Sequence, residues 1–296
     1  MKLSQLITGP RFIPGQSTVI KLALFDVDNT LVGNNSADLP SERFIAAAKE
    51  SGKIIPIGLA TARALLKVQH ILDACDFHGY SILSNGAQIY DGATKTMLVE
   101  LTVPLQDSLT LCQLLRKRAV RHWVADDGID KFWTPELGDA HYASAKNVWL
   151  PLSDDNREDF SNYQPVKPLV IVASEVPESD KDAVLGLAHG LSSDVTAMVA
   201  HETVLKDGAK TYEVFFLHKH ANKHDALLKL SELSHIDLGS VMAVGDGPND
   251  TVIVENVGLG VAVANAVEQT MAAATFIAPA QSADGAAIAL EELVLS

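Results

Sequence analysis

Cysteine is scarce in this chain: Cys75 and Cys112 are its two, each inside an apolar helical pattern, which predicts buried free thiols rather than a disulfide or a reactive thiol. Positive charge is also short. The 23 Lys and Arg residues stand against 37 Asp and Glu, a formal charge of −14, which disfavours nucleic acid and anionic membrane as partners. No apolar run approaches the ~20 residues that a bilayer crossing takes. Met1 to Thr18 lacks the apolar segment of a secretion signal, and its Gly9-Pro10 and Pro14-Gly15 pairs predict an irregular leader. These shortages point to a cytoplasmic enzyme, and 296 residues exceed what one core usually holds, which predicts two domains.

What the chain does have is paired acids where apolar runs end. Val19-Ile20-Lys21-Leu22-Ala23-Leu24-Phe25 reads as a buried parallel strand, and Asp26 and Asp28 follow it, at the carboxyl end where open α/β sheets keep their active sites. Two acids so placed can divide nucleophilic and proton-transfer roles. A second strand, Val241-Met242-Ala243-Val244, runs into Gly245-Asp246-Gly247-Pro248-Asn249-Asp250. Carboxylates gathered without a counter-ion repel and raise one another's pKa, so the two clusters suggest one site for Mg2+, which takes hard oxygen ligands. Asp26 and Asp246 are the best ligand candidates. Between them lie Thr61-Ala62-Arg63 after the run 54–60, and Lys223 opening an amphipathic helix. A hydroxyl, backbone amides at a helix start and an ammonium suit a phosphate dianion.

With these residues in place, nearly the whole chain resembles the haloacid dehalogenase superfamily, specifically its Cof-like branch of sugar-phosphatase type with a large α/β cap. Asp26-Val-Asp28-Asn-Thr30, Ala60-Thr61-Ala-Arg63, Ser84-Asn85-Gly86-Ala87, Lys223, Gly245-Asp246-Gly-Pro-Asn249-Asp250 and Val263-Ala264-Asn265-Ala266 occur in family order. The resemblance implies that Asp26 attacks phosphorus to form an aspartyl-phosphate, while Asp28 protonates the leaving alcohol and then deprotonates water. It further implies that Thr61, Lys223 and Asn249 bind the phosphoryl group, and that Asp26, Asp246 and the backbone carbonyl of Asp28 hold Mg2+. Asp250 is implied in support of Lys223, and Arg63 either pairs with an acid or joins the phosphate-binding face. Three departures from the family pattern, Asn29, Ala62 and His224, each replace a commoner Gly; Asn tolerates left-handed backbone geometry, whereas Ala62 and His224 could crowd a substrate.

The resemblance therefore implies a Mg2+-dependent phosphatase acting on small phosphorylated metabolites, sugar phosphates foremost, with small-molecule phosphate esters as its partners. A phosphohexose mutase and a non-catalytic phosphometabolite-binding protein are the alternatives. A free phosphate, an isomerised sugar phosphate or no reaction tells the three apart.

The element pattern predicts an α/β fold: a doubly wound parallel, Rossmann-like sheet core with an inserted α+β cap domain. The core is expected from 1–89 and 214–296, with strands at 19–26, 54–60, 81–84, 241–245, 260–263 and 275–278. Core helices are expected at 41–51, 62–74, 222–234, 249–256, 266–273 and 284–294. The inserted segment, 90–213, is expected to hold helices at 105–119 and 178–190 and strands near 121–126, 146–150, 168–174, 195–200 and 211–217, with a polar connection from Pro151 to Pro168. Its inner surface is expected to close over the site and select small substrates. Other conspicuous residues have plainer readings. Arg116, Lys117, Arg118 and Arg121 complement a helix end, and His218, His220 and His224 have spacing that suits no tetrahedral site. Trp123, Trp133 and Trp149 read as cap packing, Gly258-Leu-Gly260 as a turn into a strand, and Asn85 and Gly86 as structural residues at the core–cap junction.

Overall fold

The computed structural model describes residues 19–33, 38–126, 129–135, 141–145, 157–159 and 165–296. In chain order it contains β1 (Leu22–Phe25), α1 (Glu42–Ser51), β2 (Ile57–Leu59), α2 (Leu65–Cys75), β3 (Tyr80–Leu83), β4 (Gln88–Asp91), β5 (Thr96–Glu100) and α3 (Leu105–Lys117). Then come β6 (His122–Asp126), β7 (Ile129–Trp133), β8 (His141–Ala145), β9 (Arg157–Asp159), β10 (Pro168–Pro177), α4 (Lys181–Leu185), β11 (Val195–Val204) and β12 (Lys210–His218). The chain ends with α5 (Lys223–Ser234), β13 (Val241–Gly245), α6 (Pro248–Asn256), β14 (Leu259–Val263), α7 (Glu268–Ala273), β15 (Phe276–Ala278) and α8 (Gly285–Leu293). Two compact units result, one of the residues up to Val99 with Ala221–Ser296, the other Glu100–His220.

The first unit is built on a parallel sheet of order β15-β14-β13-β1-β2. Its strands are continuous apolar runs because both faces are covered. Side chains alternate along β1, so Ala23 and Phe25 enter one core with residues of α1, α2 and α8, while Leu22 and Leu24 enter another with Ala226, Leu227 and Leu230 of α5 and Ile253 of α6. Phe25 meets Phe44 edge-on at 5.2 Å between ring centroids, and Phe44 meets Phe77 in the same way at 6.3 Å. The doubly wound α/β core is therefore observed. From β1 the chain moves outward to β2, and on its return β13 pairs with the other side of β1. That reversal makes the carboxyl ends of β1 and β13 the switch point where such sheets bind ligands.

Differences from the expected elements have local causes. The strand expected at 54–60 starts only at Ile57, because the amides of Ile54 and Ile55 both donate to the carbonyl of Ser51 and close the end of α1. A β3-β4-β5 antiparallel sheet, unforeseen in the sequence, keeps residues 90–99 in the first unit, although they belong to the segment expected to be inserted. The helix expected at 178–190 is α-helical only over Lys181–Leu185 and then tightens to a 3-10 turn over Gly186–Gly190, where two glycines weaken α-helix. Arg157–Asp159 forms a strand inside the expected polar connection, pairing with β8, since an edge strand can be chosen by its neighbour more than by its own apolar content. The strand expected near 146–150, the leader and Trp149 lie outside the described residues.

The second unit is an antiparallel sheet of order β11-β12-β10-β6-β7-β8-β9 with α3 and α4 packed on it. Val124, Ile171, Ala173, Val214 and Phe216 meet Leu111, Cys112 and Leu115 of α3 in one core. Both thiols are buried and unbridged, and burial pushes each up to about 12. His122 lies in the same region, its ring stacked on Trp133 at 5.4 Å and its Nδ1 3.0 Å from the Val120 carbonyl, with Nε2 buried and without a hydrogen-bond partner.

Burial pushes the pKa of His122 down from its ordinary 6.5 to about 4, and the charge of Arg116 adds to the shift. The unfolded chain thus binds more protons between those values, so the stabilisation is full above pH 6.5 and is lost as pH falls toward 4, about 3 kcal/mol in all. Chemical denaturation at pH 7 and pH 4.5 checks this. His122→Leu is expected to lose less stability than wild type across that step, and an equal loss would contradict the assignment.

Candidate active site

The site begins with strand register. Phe25 of β1 pairs with Val244 of β13, and the Asp26 amide donates to the Val244 carbonyl at 2.9 Å, so Asp26 and Asp246 leave adjacent strand ends together. Gly245 is required at this exit: a Cβ there would stand 2.5 Å from that of Asp250. Asp250 is the third residue of α6, and its Oδ2 accepts from the amides of Asp246 at 3.2 Å and Gly247 at 3.0 Å. That contact caps the helix and fixes the loop carrying Asp246. Its other oxygen, Oδ1, accepts from the Lys223 ammonium at 2.5 Å.

Lys223 opens α5 directly after the N-cap Asn222, whose side chain accepts from the Asp225 amide at 2.8 Å. Its ammonium is wholly buried and also donates to Asp26 Oδ1 at 2.8 Å. Burial works against this charge, but the attraction of Asp250 and Asp26 outweighs it and holds the pKa of Lys223 above its usual value. Carboxylates remain in excess. Burial, and then the charge of Asp250, push Asp26 well above the ordinary carboxylate range despite Lys223. Asp246 is pushed up to about 6 by burial and by Asp250, against the pull of the Thr30 hydroxyl that donates to its Oδ1 at 2.8 Å.

On the neighbouring loop, the Thr61 amide donates to the Ile82 carbonyl at 2.9 Å, and the Thr61 hydroxyl accepts from the Arg63 amide at 3.1 Å. An accepting hydroxyl keeps its own proton for donation, the sense a phosphoryl oxygen requires. The buried Arg63 guanidinium grips Asp28 with both arms, Nη2 to Oδ1 at 2.5 Å and Nε to Oδ2 at 3.0 Å. Of the two readings of Arg63, the ion pair is the one observed. Asn249 donates to Asn85 Oδ1 at 3.3 Å.

The expected residues are therefore held by five contacts: Asp26 and Asp250 on Lys223, Asp28 on Arg63, Asp246 on Thr30, Asn249 on Asn85, and the Thr61 hydroxyl on the Arg63 amide. Sequence reasoning passed over two participants. Thr30 stands four residues after Asp26, inside the quoted motif, yet only the fold shows that it reaches Asp246. Asn85 was read as a junction residue, and no local pattern foretold its contact with Asn249. The rings of His218 and His220 stand tilted to one another with centroids 5.7 Å apart, and among the described residues neither they nor His224 belongs to the acidic cluster.

The acidic cluster itself is Asp26, Asp246 and Asp250, which offer ligand atoms within 4.8 Å of one another. Three carboxylates stand against one ammonium, and burial, with the charge of Asp250 added, holds both Asp26 and Asp246 above the ordinary carboxylate range. A divalent cation that prefers hard oxygen fits this donor set. Both oxygens of Asp250 are already taken up by Lys223 and by backbone amides, whereas Lys223 and Thr30 each bond one oxygen, Oδ1, of Asp26 and Asp246 respectively, so the second oxygens of these two could hold such an ion. The carboxylate of Asp28 is not part of the cluster and pairs with Arg63 instead.

Comparison with known proteins shows the family. Residues 23–290 match the family model for haloacid dehalogenase-like hydrolases. The chain is 24% identical over 277 residues to 5-amino-6-(5-phospho-D-ribitylamino)uracil phosphatase YcsE of Bacillus subtilis, covering 93% of this chain and 96% of that protein. It is 28% identical over 261 residues to the HMP-PP phosphatase of Citrobacter koseri, covering 85% and 87%. Among solved structures, a haloacid dehalogenase-like hydrolase from Bacteroides thetaiotaomicron superposes with a TM-score of 0.75 at 20% identity, covering 93% of this chain and 99% of that one. A subclass IIB sugar phosphatase superposes at 0.65 and 17% identity, covering 92% and 98%. Since the family match runs through both halves of the parallel sheet and everything inserted between them, the chain belongs to the haloacid dehalogenase-like hydrolase family.

Proposed function

We propose that this hydrolase is a Mg2+-dependent phosphatase that cleaves small phosphorylated metabolites, sugar phosphates foremost, through an aspartyl-phosphate on Asp26. The observation that carries the reading is the Lys223 ammonium, buried without exposure and shared between Asp26 and Asp250 at a strand end. Lys223 fixes Asp26 through Oδ1, which leaves Oδ2 for attack on phosphorus. As that P–O bond forms, the bond to the leaving alcohol breaks; water then attacks the acyl phosphate, releasing phosphate and restoring the carboxylate. Phosphoryl transfer has little covalent chemistry for a protein to perform beyond this, so charge placed around the phosphoryl group supplies most of the catalysis. Lys223 and the hydroxyl of Thr61 serve that purpose, with Asn249 beside them. When bound, Mg2+, held by Asp26, Asp246 and the Asp28 backbone carbonyl, supplies the positive charge that lets a phosphate dianion approach two carboxylates.

Asp28 gives the leaving alcohol its proton and later takes one from water. Both of its oxygens accept from Arg63, so donation requires that this pair part once substrate is present. Asp28→Asn is expected to lower turnover of alkyl phosphates by roughly 10²–10⁴-fold, the usual contribution of a positioned acid. Aryl phosphates, whose leaving groups need less help, should lose much less. Equal losses for both classes would remove Asp28 from that role.

The relatives support the substrate class, since one is named for a phosphorylated ribityl compound and a structural neighbour for sugar phosphate. The excess of acidic residues supports an enzyme working on small esters rather than on nucleic acid or at an anionic membrane, and we infer a cytoplasmic one. Phosphate release with Mg2+ across a panel of phosphorylated sugars and related metabolites tests the whole reading. Free phosphate is expected. An isomerised sugar phosphate would mark a mutase, and neither product would mark a binding protein.

A further inference from the structure

We propose that the turn Ser84-Asn85-Gly86 is the positioning element of the phosphate site, tying three loops into one geometry, with Asn85 acting through Asn249; this rests on the phosphatase reading. All three residues have left-handed backbone, with φ of 51°, 55° and 100°, and the two non-glycine ones are buried. Consecutive left-handed residues are costly for side-chain-bearing positions, and such strain persists where the surroundings enforce it, often at functional sites.

What the strained turn touches gives it a purpose. The Ser84 amide donates to the Arg63 carbonyl at 2.9 Å and the Asn85 amide to the Thr61 carbonyl at 3.0 Å, so the turn carries the backbone of the hydroxyl loop. The Asn85 side chain accepts at 3.3 Å from Asn249, which lies in the first turn of α6 beside Asp250 and just after Asp246. Gly86 lies against the backbone of Asn222, the N-cap of the helix that Lys223 opens, so closely that a Cβ would overlap the Asn222 carbonyl. Three residues thereby join Thr61, Asn249 and Lys223, which come from separate parts of the chain. A ~1 Å displacement of groups that hold a reacting phosphoryl can cost about 10²-fold in rate, so a rigid tie between those loops has a direct catalytic consequence.

Asn85→Gly tests the side chain alone, because glycine accepts the left-handed backbone without strain. It is expected to weaken binding of inorganic phosphate, followed by calorimetry with Mg2+ present, and to lower kcat/KM, each by about tenfold, the scale of one buried hydrogen bond to a binding group. Its thermal midpoint should stay near that of wild type. In a chain already carrying Asn249→Ala, the same change should cost less than about twofold, since residues in one contact are non-additive. Gly86→Ala should lower kcat/KM further by pushing Asn222 and Lys223 aside. Wild-type phosphate affinity in Asn85→Gly, or losses that simply multiply with those of Asn249→Ala, would overturn the role of Asn85. A folded Gly86→Ala protein with wild-type kcat/KM would overturn the tie to Lys223. A wild-type protein that binds phosphate but releases none from any ester would sink the phosphatase reading while leaving the binding test of the turn intact.

Discussion

Asp26→Asn is expected to abolish phosphate release while leaving the protein at least as stable as before. An amide cannot form the acyl phosphate, and removal of a nucleophile costs on the order of 10⁶ in turnover where it has been examined. Stability should move the other way. The carboxylate of Asp26 is held well above its ordinary pKa by burial and by Asp250, so ionising it is a cost to the fold. An asparagine oxygen can still accept from Lys223 without that charge. Higher or unchanged resistance to denaturant together with lost turnover separates a reacting residue from a merely structural one. Near-wild-type phosphate release would show that the nucleophile lies elsewhere.

Lys223→Met is expected to damage both turnover and fold. The ammonium is buried between two carboxylates at 2.8 and 2.5 Å, and removing one partner from a buried ion pair typically costs about 3–5 kcal/mol because the remaining charges are left uncompensated. Denaturant melts should show a loss of that order. Turnover should fall by about 10²–10³-fold or more, the effect of deleting one well-placed electrostatic contact to a transition state. Aryl and alkyl phosphates should suffer alike, since the charge serves the phosphoryl group that every ester shares. The contrast with Asp28→Asn is the informative comparison, and alkyl turnover within a few-fold of wild type would exclude Lys223 from phosphate binding.

The catalytic sheet was legible in the sequence because burial on both faces writes its strands as unbroken apolar runs, and because Asp26 and Asp246 stand directly where those runs stop. Lys223 could be placed at a helix start from its amphipathic pattern. Of its two carboxylate partners, Asp250 came only with the family resemblance and Asp26 not at all, since that contact depends on Phe25 and Val244 sharing a register across a sheet whose strands are far apart in the chain. Asp250 shows the same limit: its position as the third residue of a helix suggests a cap, but its second oxygen reaches Lys223 only in the folded chain. The β4–β5 pair had a local signal in Asp91-Gly92 between two strand-like runs, which the expected boundary at 90 obscured. Strands β7, β8 and β9 had less. Strand β7 mixes charged and apolar residues, β8 has small and polar ones and β9 is Arg-Glu-Asp, so pairing with neighbours decides their conformation.

The central claim is that the phosphoryl group passes through Asp26, and trapping the intermediate tests it most directly. Wild-type protein turning over a phosphate ester with Mg2+ is denatured rapidly in acid, and the acyl phosphate is reduced with borohydride, which converts a phosphorylated aspartate to homoserine. Peptide mass spectrometry is expected to find homoserine at position 26, and not at Asp28, Asp246 or Asp250. It should be absent when substrate is omitted. Homoserine at another position, or rapid turnover with none at any aspartate, would contradict the account.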